Sequence, residues 1–130
     1  MSLHKVYVHI VWRTKDRIPY IKAEHEREIY KCITDLVEIN NCTYIVGNGT
    51  EDHVHLLINL NVNISLSELM KSIKGKSSYE LKNKGIDLNW NKGYGANSIG
   101  KLEFEQVKNY ILKQKEHHDN KSTKIEYEEF

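Results

Sequence analysis

The chain of 130 residues is short of several things. It has one proline, Pro19, and two cysteines, Cys32 and Cys42. Neither cysteine belongs to a Cys-x-x-Cys pair, so zinc-ribbon and dithiol redox chemistry lack their ligands. Both lie in apolar contexts and read as reduced core thiols of a cytoplasmic protein. The longest apolar runs are strand-sized, which excludes a bilayer-spanning helix among them. The opening "MSLHKVYVHIVWRTKDR" turns basic too early for a secretory signal. Internal repeats and low-complexity linkers are missing too. The formal charge is only +1, which favours no particular class of partner.

What is present is the composition of a globular chain, 39% hydrophobic and 28% charged, long enough for one domain over residues 1–130 and too short for two well-packed ones. Its charges are segregated. Acidic residues crowd Glu24, Glu26 and Glu28, and again Glu126, Glu128 and Glu129. Basic ones gather at Arg13, Lys15 and Arg17 and at Lys71, Lys74, Lys76, Lys82 and Lys84. Such segregation permits a basic face on a nearly neutral protein.

Val6, Val8, Ile10 and Trp12 alternate with Tyr7, His9 and Val11 and predict a mostly buried first strand. The basic "RTKDRIP" ends it at a loop. Ile29, Ile33, Leu36 and Val37 recur at helical spacing between Ala23 and Asn40. "CTYIV" predicts a second strand and "GNGT" a hairpin turn into the next. Ser65 and Glu68 form a capping-box pattern ahead of Leu66, Leu69, Met70 and Ile73. Gly75 interrupts that stripe, either as a kink or as a place for a phosphate to approach the backbone. Residues 88–100 predict a short strand with an irregular loop, Glu103 to His118 a last helix, and 119–130 a polar tail. The order strand, helix, two strands, helix, strand, helix fits an α+β, ferredoxin-like antiparallel sheet with helices packed mainly on one face.

Chemistry concentrates in "EDHVHLLINL". On a strand, Val54, Leu56, Ile58 and Leu60 share one face while His53 and His55 stand together on the other. Paired imidazoles share a metal ion, grip a phosphate, or decorate a solvated face. On the last helix Phe104, Val107 and Ile111 form the buried stripe. Tyr110 and Gln114, four residues apart, fall on a neighbouring face at its edge. His9, on the first strand, either faces the same side as the pair or is structural, the commoner case. Asp52 is either a turn residue or a support for one of the paired histidines. Trp90 and Tyr94 have the chemistry to stack on bases, with core packing the commoner use.

"DHVHLL" together with "YILKQKEHH" resembles the HUH endonuclease superfamily, and more narrowly the single-tyrosine transposases of the insertion sequence 200/605 type. "VWRTKDR", "LSELMKSIKGKSS" and "WNKGYGANS" match further segments in family order. Asn97 and Gly100 depart from the usual aromatic and serine. The resemblance implies a transposase that cleaves and rejoins single-stranded DNA at hairpin-marked ends, with Tyr110 as nucleophile and a 5′-phosphotyrosine intermediate. It implies Mg²⁺ or Mn²⁺ held by His53, His55 and Gln114, with activation of the phenol by that metal or by Lys113. It further implies a homodimer without membrane or nucleotide cofactor, with the tyrosine acting in its own or its partner's site. Arg13, Lys15, Arg17, Lys71, Lys74 and Lys76 are the candidates for DNA phosphates. His117 and His118 match the family's "HH" without a legible role. Other readings are a domesticated nuclease of repeat hairpins, a rolling-circle initiator, or a non-catalytic nucleic-acid-binding module. A histidine-triad hydrolase would need its nucleophile where Leu57 stands.

Overall fold

The computed structural model describes residues 4–115. His117, His118 and the tail lie outside them. Four strands, β1 (Tyr7–Arg13), β2 (Thr43–Gly49), β3 (His53–Asn59) and β4 (Gly95–Ile99), form one sheet in the order β2-β3-β1-β4. Every neighbouring pair is antiparallel. Helix α1 (Glu26–Ile39) links β1 to β2, α2 (Leu66–Asn83) links β3 to β4, and α3 (Phe104–Leu112) follows β4. This is the ferredoxin-like arrangement, with β3 set between β1 and β2.

Alternation on the two central strands divides the interior. Val8, Ile10 and Trp12 of β1 and Val54, Leu56 and Ile58 of β3 pack under α1 and α2, against Ile29, Ile33, Leu69 and Ile73. On the other face Val46, Leu57 and Ile99 meet Val107, Tyr110 and Ile111 of α3. Two helices therefore share one face and the third takes the opposite one. Truncating a fully buried member such as Ile111 to alanine would cost roughly 2–5 kcal/mol. No described helix is long and apolar enough to cross a membrane.

Local differences from the sequence pattern have physical reasons. "GNGT" is not the hairpin turn: β2 runs on through Gly49, and Thr50–Asp52 make the connection. An added Cβ at Gly49 would stand 2.1 Å from the His53 carbonyl oxygen, so its glycine serves close strand approach. Ser65 does cap α2, its side chain accepting from Glu68 N at 3.0 Å. Gly75 does not interrupt that helix, which continues to Asn83 because an exposed glycine costs only about 1 kcal/mol. Gly85, with φ of +83°, is what closes it. The last helix, expected over Glu103 to His118, runs Phe104–Leu112 and is interrupted at Lys113, with φ −101° and ψ 19°. Helical backbone returns at Gln114 and Lys115, and residues 116–118 lie outside the described ones.

Candidate active site

The face of the sheet beneath α3 carries the chemistry. Register puts Arg13 opposite His53, Val11 opposite His55 and His9 opposite Leu57, so His9 and His55 are diagonal neighbours. All three histidines are buried, His9 and His55 completely. The histidine pair is thus not decoration on a solvated sheet. Their rings form a continuous row, with centroids 5.1 Å apart for His9 and His55 and 5.2 Å for His53 and His55.

Each member of the pair is held through Nδ1. His53 Nδ1 lies 2.9 Å from Asp52 Oδ1 and 3.0 Å from Thr50 Oγ1. His55 Nδ1 lies 2.9 Å from His9 Nε2. Burial pulls the Asp52 carboxyl upward, but the hydrogen bond and charge of His53, aided by Arg17 and Thr50, outweigh it and hold the carboxyl below its ordinary value. The turn itself is fixed by buried Thr14, whose backbone N–H donates to the Asp52 carbonyl at 2.9 Å.

From the other side α3 delivers two groups. Tyr110, only 5% exposed, sets its ring against His55 with centroids 5.7 Å apart at 78°. It belongs to the buried cluster rather than to the edge of the stripe. Gln114 is fully buried and its Oε1 lies 3.3 Å from His53 Nε2. When His53 donates through Nδ1 to the Asp52 carboxylate, its Nε2 lone pair faces the amide oxygen, an acceptor facing an acceptor. With its proton on Nε2 instead, His53 donates to that oxygen. No group of three His, Cys, Asp or Glu side chains suited to a metal stands among the described residues; two imidazoles and one amide oxygen would make a mixed nitrogen and oxygen set, whose chemistry suits a divalent ion with positions to spare.

The end of α3 is tied down in the same chain. Asn48 Nδ2 donates to the Leu112 carbonyl at 3.1 Å. Lys115 Nζ donates to Glu26 Oε1 at 2.5 Å, Asn48 Oδ1 at 2.7 Å and the Gly49 carbonyl at 3.1 Å. A cavity of about 400 Å³ opens at His53, lined also by Arg17, Glu26, Asp52 and Lys115.

The basic candidates are scattered. Arg17 pairs with Asp52 at 3.4 Å. Arg13 ends β1 beside His53. Lys74 donates to the carbonyls of Asn91 and Gly93. Lys15, Lys71 and Lys76 are exposed. Trp90 packs edge-on against Trp12 at 5.6 Å and donates to Ser77 Oγ; Tyr94 is partly buried against the same core. Sequence reasoning favoured a structural role for His9 and passed over Lys115. The diagonal register of His9 carried a signal, whereas nothing adjacent in sequence links Lys115 to Glu26.

A family model described as "Transposase IS200 like" matches residues 2–114. The chain is 29% identical over 116 residues to the transposase for insertion sequence element IS200 of Salmonella typhimurium, covering 83% of this chain and 76% of that one. It is 25% identical over 121 residues to the ISDra2 transposase TnpA of Deinococcus radiodurans, covering 86% of each. Among solved structures, a putative transposase from Deinococcus radiodurans superposes with a TM-score of 0.66 at 22% identity, over 87% of this chain and 93% of that one. A REP-associated tyrosine transposase bound to a REP hairpin superposes with a TM-score of 0.67 at 11% identity, over 87% and 68%. The last two likenesses concern the fold. The match along nearly the whole chain, over a sheet that gathers His53, His55, Tyr110 and Gln114, makes this protein a member of the IS200-like transposase family.

Proposed function

We propose that this transposase cuts and rejoins single-stranded DNA through a covalent bond to Tyr110. One observation carries the reading: a single stretch of chain, residues 110–114, presents a phenol to His55 and an amide oxygen to His53. A decorative histidine pair in a plain binding module has no need of that convergence.

His53, His55 and Gln114 would hold Mg²⁺ or Mn²⁺. When bound, the ion neutralises charge that accumulates on the scissile phosphate oxygens. Asp52 and His9 keep the two imidazoles oriented. The phenolic oxygen of Tyr110 loses its proton and attacks phosphorus. The bond from phosphorus to the 3′ oxygen breaks, and that oxygen leaves as a 3′-hydroxyl after taking up a proton. The product is a 5′-phosphotyrosine. One phosphodiester is exchanged for another, so a different 3′-hydroxyl reverses the step and joins strands without ATP.

Arg13 and Arg17 flank His53 and are the basic candidates best placed for phosphates near the cut. A hairpin beside the cleavage point is the substrate we favour, since one structural neighbour carries a REP hairpin. A homodimer belongs to the same proposal. In the single chain, Asn48 and Lys115 tie the end of α3 to its own sheet.

The test is a denaturing gel of protein incubated with single-stranded DNA from its genomic flanks and Mn²⁺. A covalent adduct should form with wild type and vanish in Tyr110→Phe, with the phosphate mapping to the peptide that contains Tyr110. An adduct that persists in Tyr110→Phe would identify another nucleophile and overturn the assignment.

A further inference from the structure

The basic residues do not form one surface. Lys71 and Lys76 sit exposed on α2 and line neither cavity. Lys15 and Lys74 instead join Lys92 around a separate recess of about 590 Å³, between the turn Lys15–Arg17, α2 and the 89–92 segment. That volume is within the roughly 300–1,000 Å³ of small-ligand sites. The turn is the wall between two cavities. Arg17 lines the one that opens at His53, while Lys15 and Asp16 line this one. Backbone bonds fix the arrangement, Lys15 N to Asn89 O and Asn91 N to Arg13 O, both 2.9 Å.

Lys15, Lys74 and Lys92 line this recess with a single carboxylate, that of Asp16. Lys74 is half-buried, and its two hydrogen-bond acceptors, the Asn91 carbonyl at 2.6 Å and the Gly93 carbonyl at 2.9 Å, are neutral. Burial depresses its pKa, the behaviour of a cation short of counter-charge. Beside the lysines stands a preset aromatic ring. Trp90 lines the recess, anchored by its Nε1–H to Oγ of buried Ser77 at 2.9 Å and by its edge contact with Trp12. Ser78, Asn89 and Asn91 add polar groups. Gly75 leaves the α2 backbone bare there, with nothing within 4 Å of an added Cβ.

Cations alone would suit any small anion. Cations beside an oriented indole suit a nucleotide whose base is unstacked, the combination that single-strand binders use. We propose that this recess is a second DNA subsite, which holds one nucleotide of the strand outside the cleavage point, phosphate on Lys15, Lys74 and Lys92 and base on Trp90. The strand then crosses the Thr14–Arg17 turn between the recess and the cavity at His53. This rests on the single-strand reading above.

The probe is a dT oligonucleotide, which forms no hairpin, titrated into full-length Tyr110→Phe so that binding is read without turnover. Trp12 and Trp90 are the only tryptophans, and Trp12 is fully buried, so quenching of intrinsic fluorescence reports Trp90. The oligonucleotide should quench it, and an abasic oligomer of equal length should bind more weakly and quench little. Adding Lys15→Gln and Lys92→Gln, both on exposed side chains, should weaken binding roughly tenfold and reduce the salt slope by about 1.4, at about 0.7 for each lost phosphate contact. Equal affinity and salt slope in that variant, or equal quenching by the abasic oligomer, overturns the subsite. Neither result touches the wild-type adduct assay, and a wild type that forms no adduct leaves this binding result standing.

Discussion

His9 Nε2 and His55 Nδ1 are 2.9 Å apart on diagonal positions of β1 and β3, with both rings wholly buried. That contact would let His9 support a proposed metal ligand. His9→Leu keeps approximate volume and removes the nitrogen. We expect Mn²⁺ affinity, by titration calorimetry, to fall roughly 10- to 100-fold, as for other outer partners of ligating histidines. His9→Gln, which keeps a polar atom, should recover part of it. Wild-type affinity in both variants would return His9 to a packing role.

His9 shows where sequence reading reaches its limit. The alternation of β1 and β3 placed His53 and His55 on one face, and helical spacing put Tyr110 and Gln114 within one turn of each other. Those are local periodicities, legible without coordinates. Which strand lies beside which is not local, so the sequence alone leaves His9 open between packing and the face of the pair. The Gly47–Gly49 segment misled for a related reason. Glycine and asparagine signal a turn, but a glycine demanded by close backbone approach writes the same letter. Asp52 was legible only as an alternative, since a turn residue and a histidine partner occupy the same position in the chain.

Glycines 49 and 75 separate these two uses energetically. Gly49→Ala would press a Cβ onto the His53 carbonyl and within 2.9 Å of the Tyr30 hydroxyl. The strand must move, at a cost of roughly 1–3 kcal/mol or more. Gly75→Ala meets nothing within 4 Å on a continuous helix. It should stabilise by roughly 0.5–1 kcal/mol. Urea denaturation of the two variants checks both signs, and a stabilised Gly49→Ala would contradict the strand packing described.

Cys32 should be nearly inert. Burial first, then the hydrogen bond from its thiol to Glu80 Oε2 at 3.5 Å, pushes its pKa up to about 11. At pH 8 its alkylation by iodoacetamide should be on the order of a hundredfold slower than that of an ordinary thiol with a pKa near 8.5. The sign of the linkage follows. Between about 8.5 and 11 the unfolded thiol has lost its proton and the folded one has kept it, so this group's contribution to stability falls as pH rises. Peptide mass spectrometry after timed labelling distinguishes Cys32 from Cys42, and rapid labelling of Cys32 would contradict the contact with Glu80.

Lys115 is the residue whose removal should separate folding from site assembly. Its ammonium reaches α1 through Glu26 and β2 through Asn48 and Gly49, directly after Gln114. The pair with Glu26 is partly exposed, 49% and 29% for the two side chains, so its worth to global stability is at most about 1 kcal/mol. Its worth to geometry is larger, because it fixes the short continuation beyond Leu112 that carries the amide to His53. Lys115→Met keeps the aliphatic stem and loses all three contacts. The urea midpoint should barely move, while Mn²⁺ affinity falls several-fold and adduct formation slows at limiting metal. Saturating Mn²⁺ should restore much of the rate, and Lys115→Arg should recover both properties in part. A variant with wild-type metal affinity would show that Gln114 holds its place without the clamp.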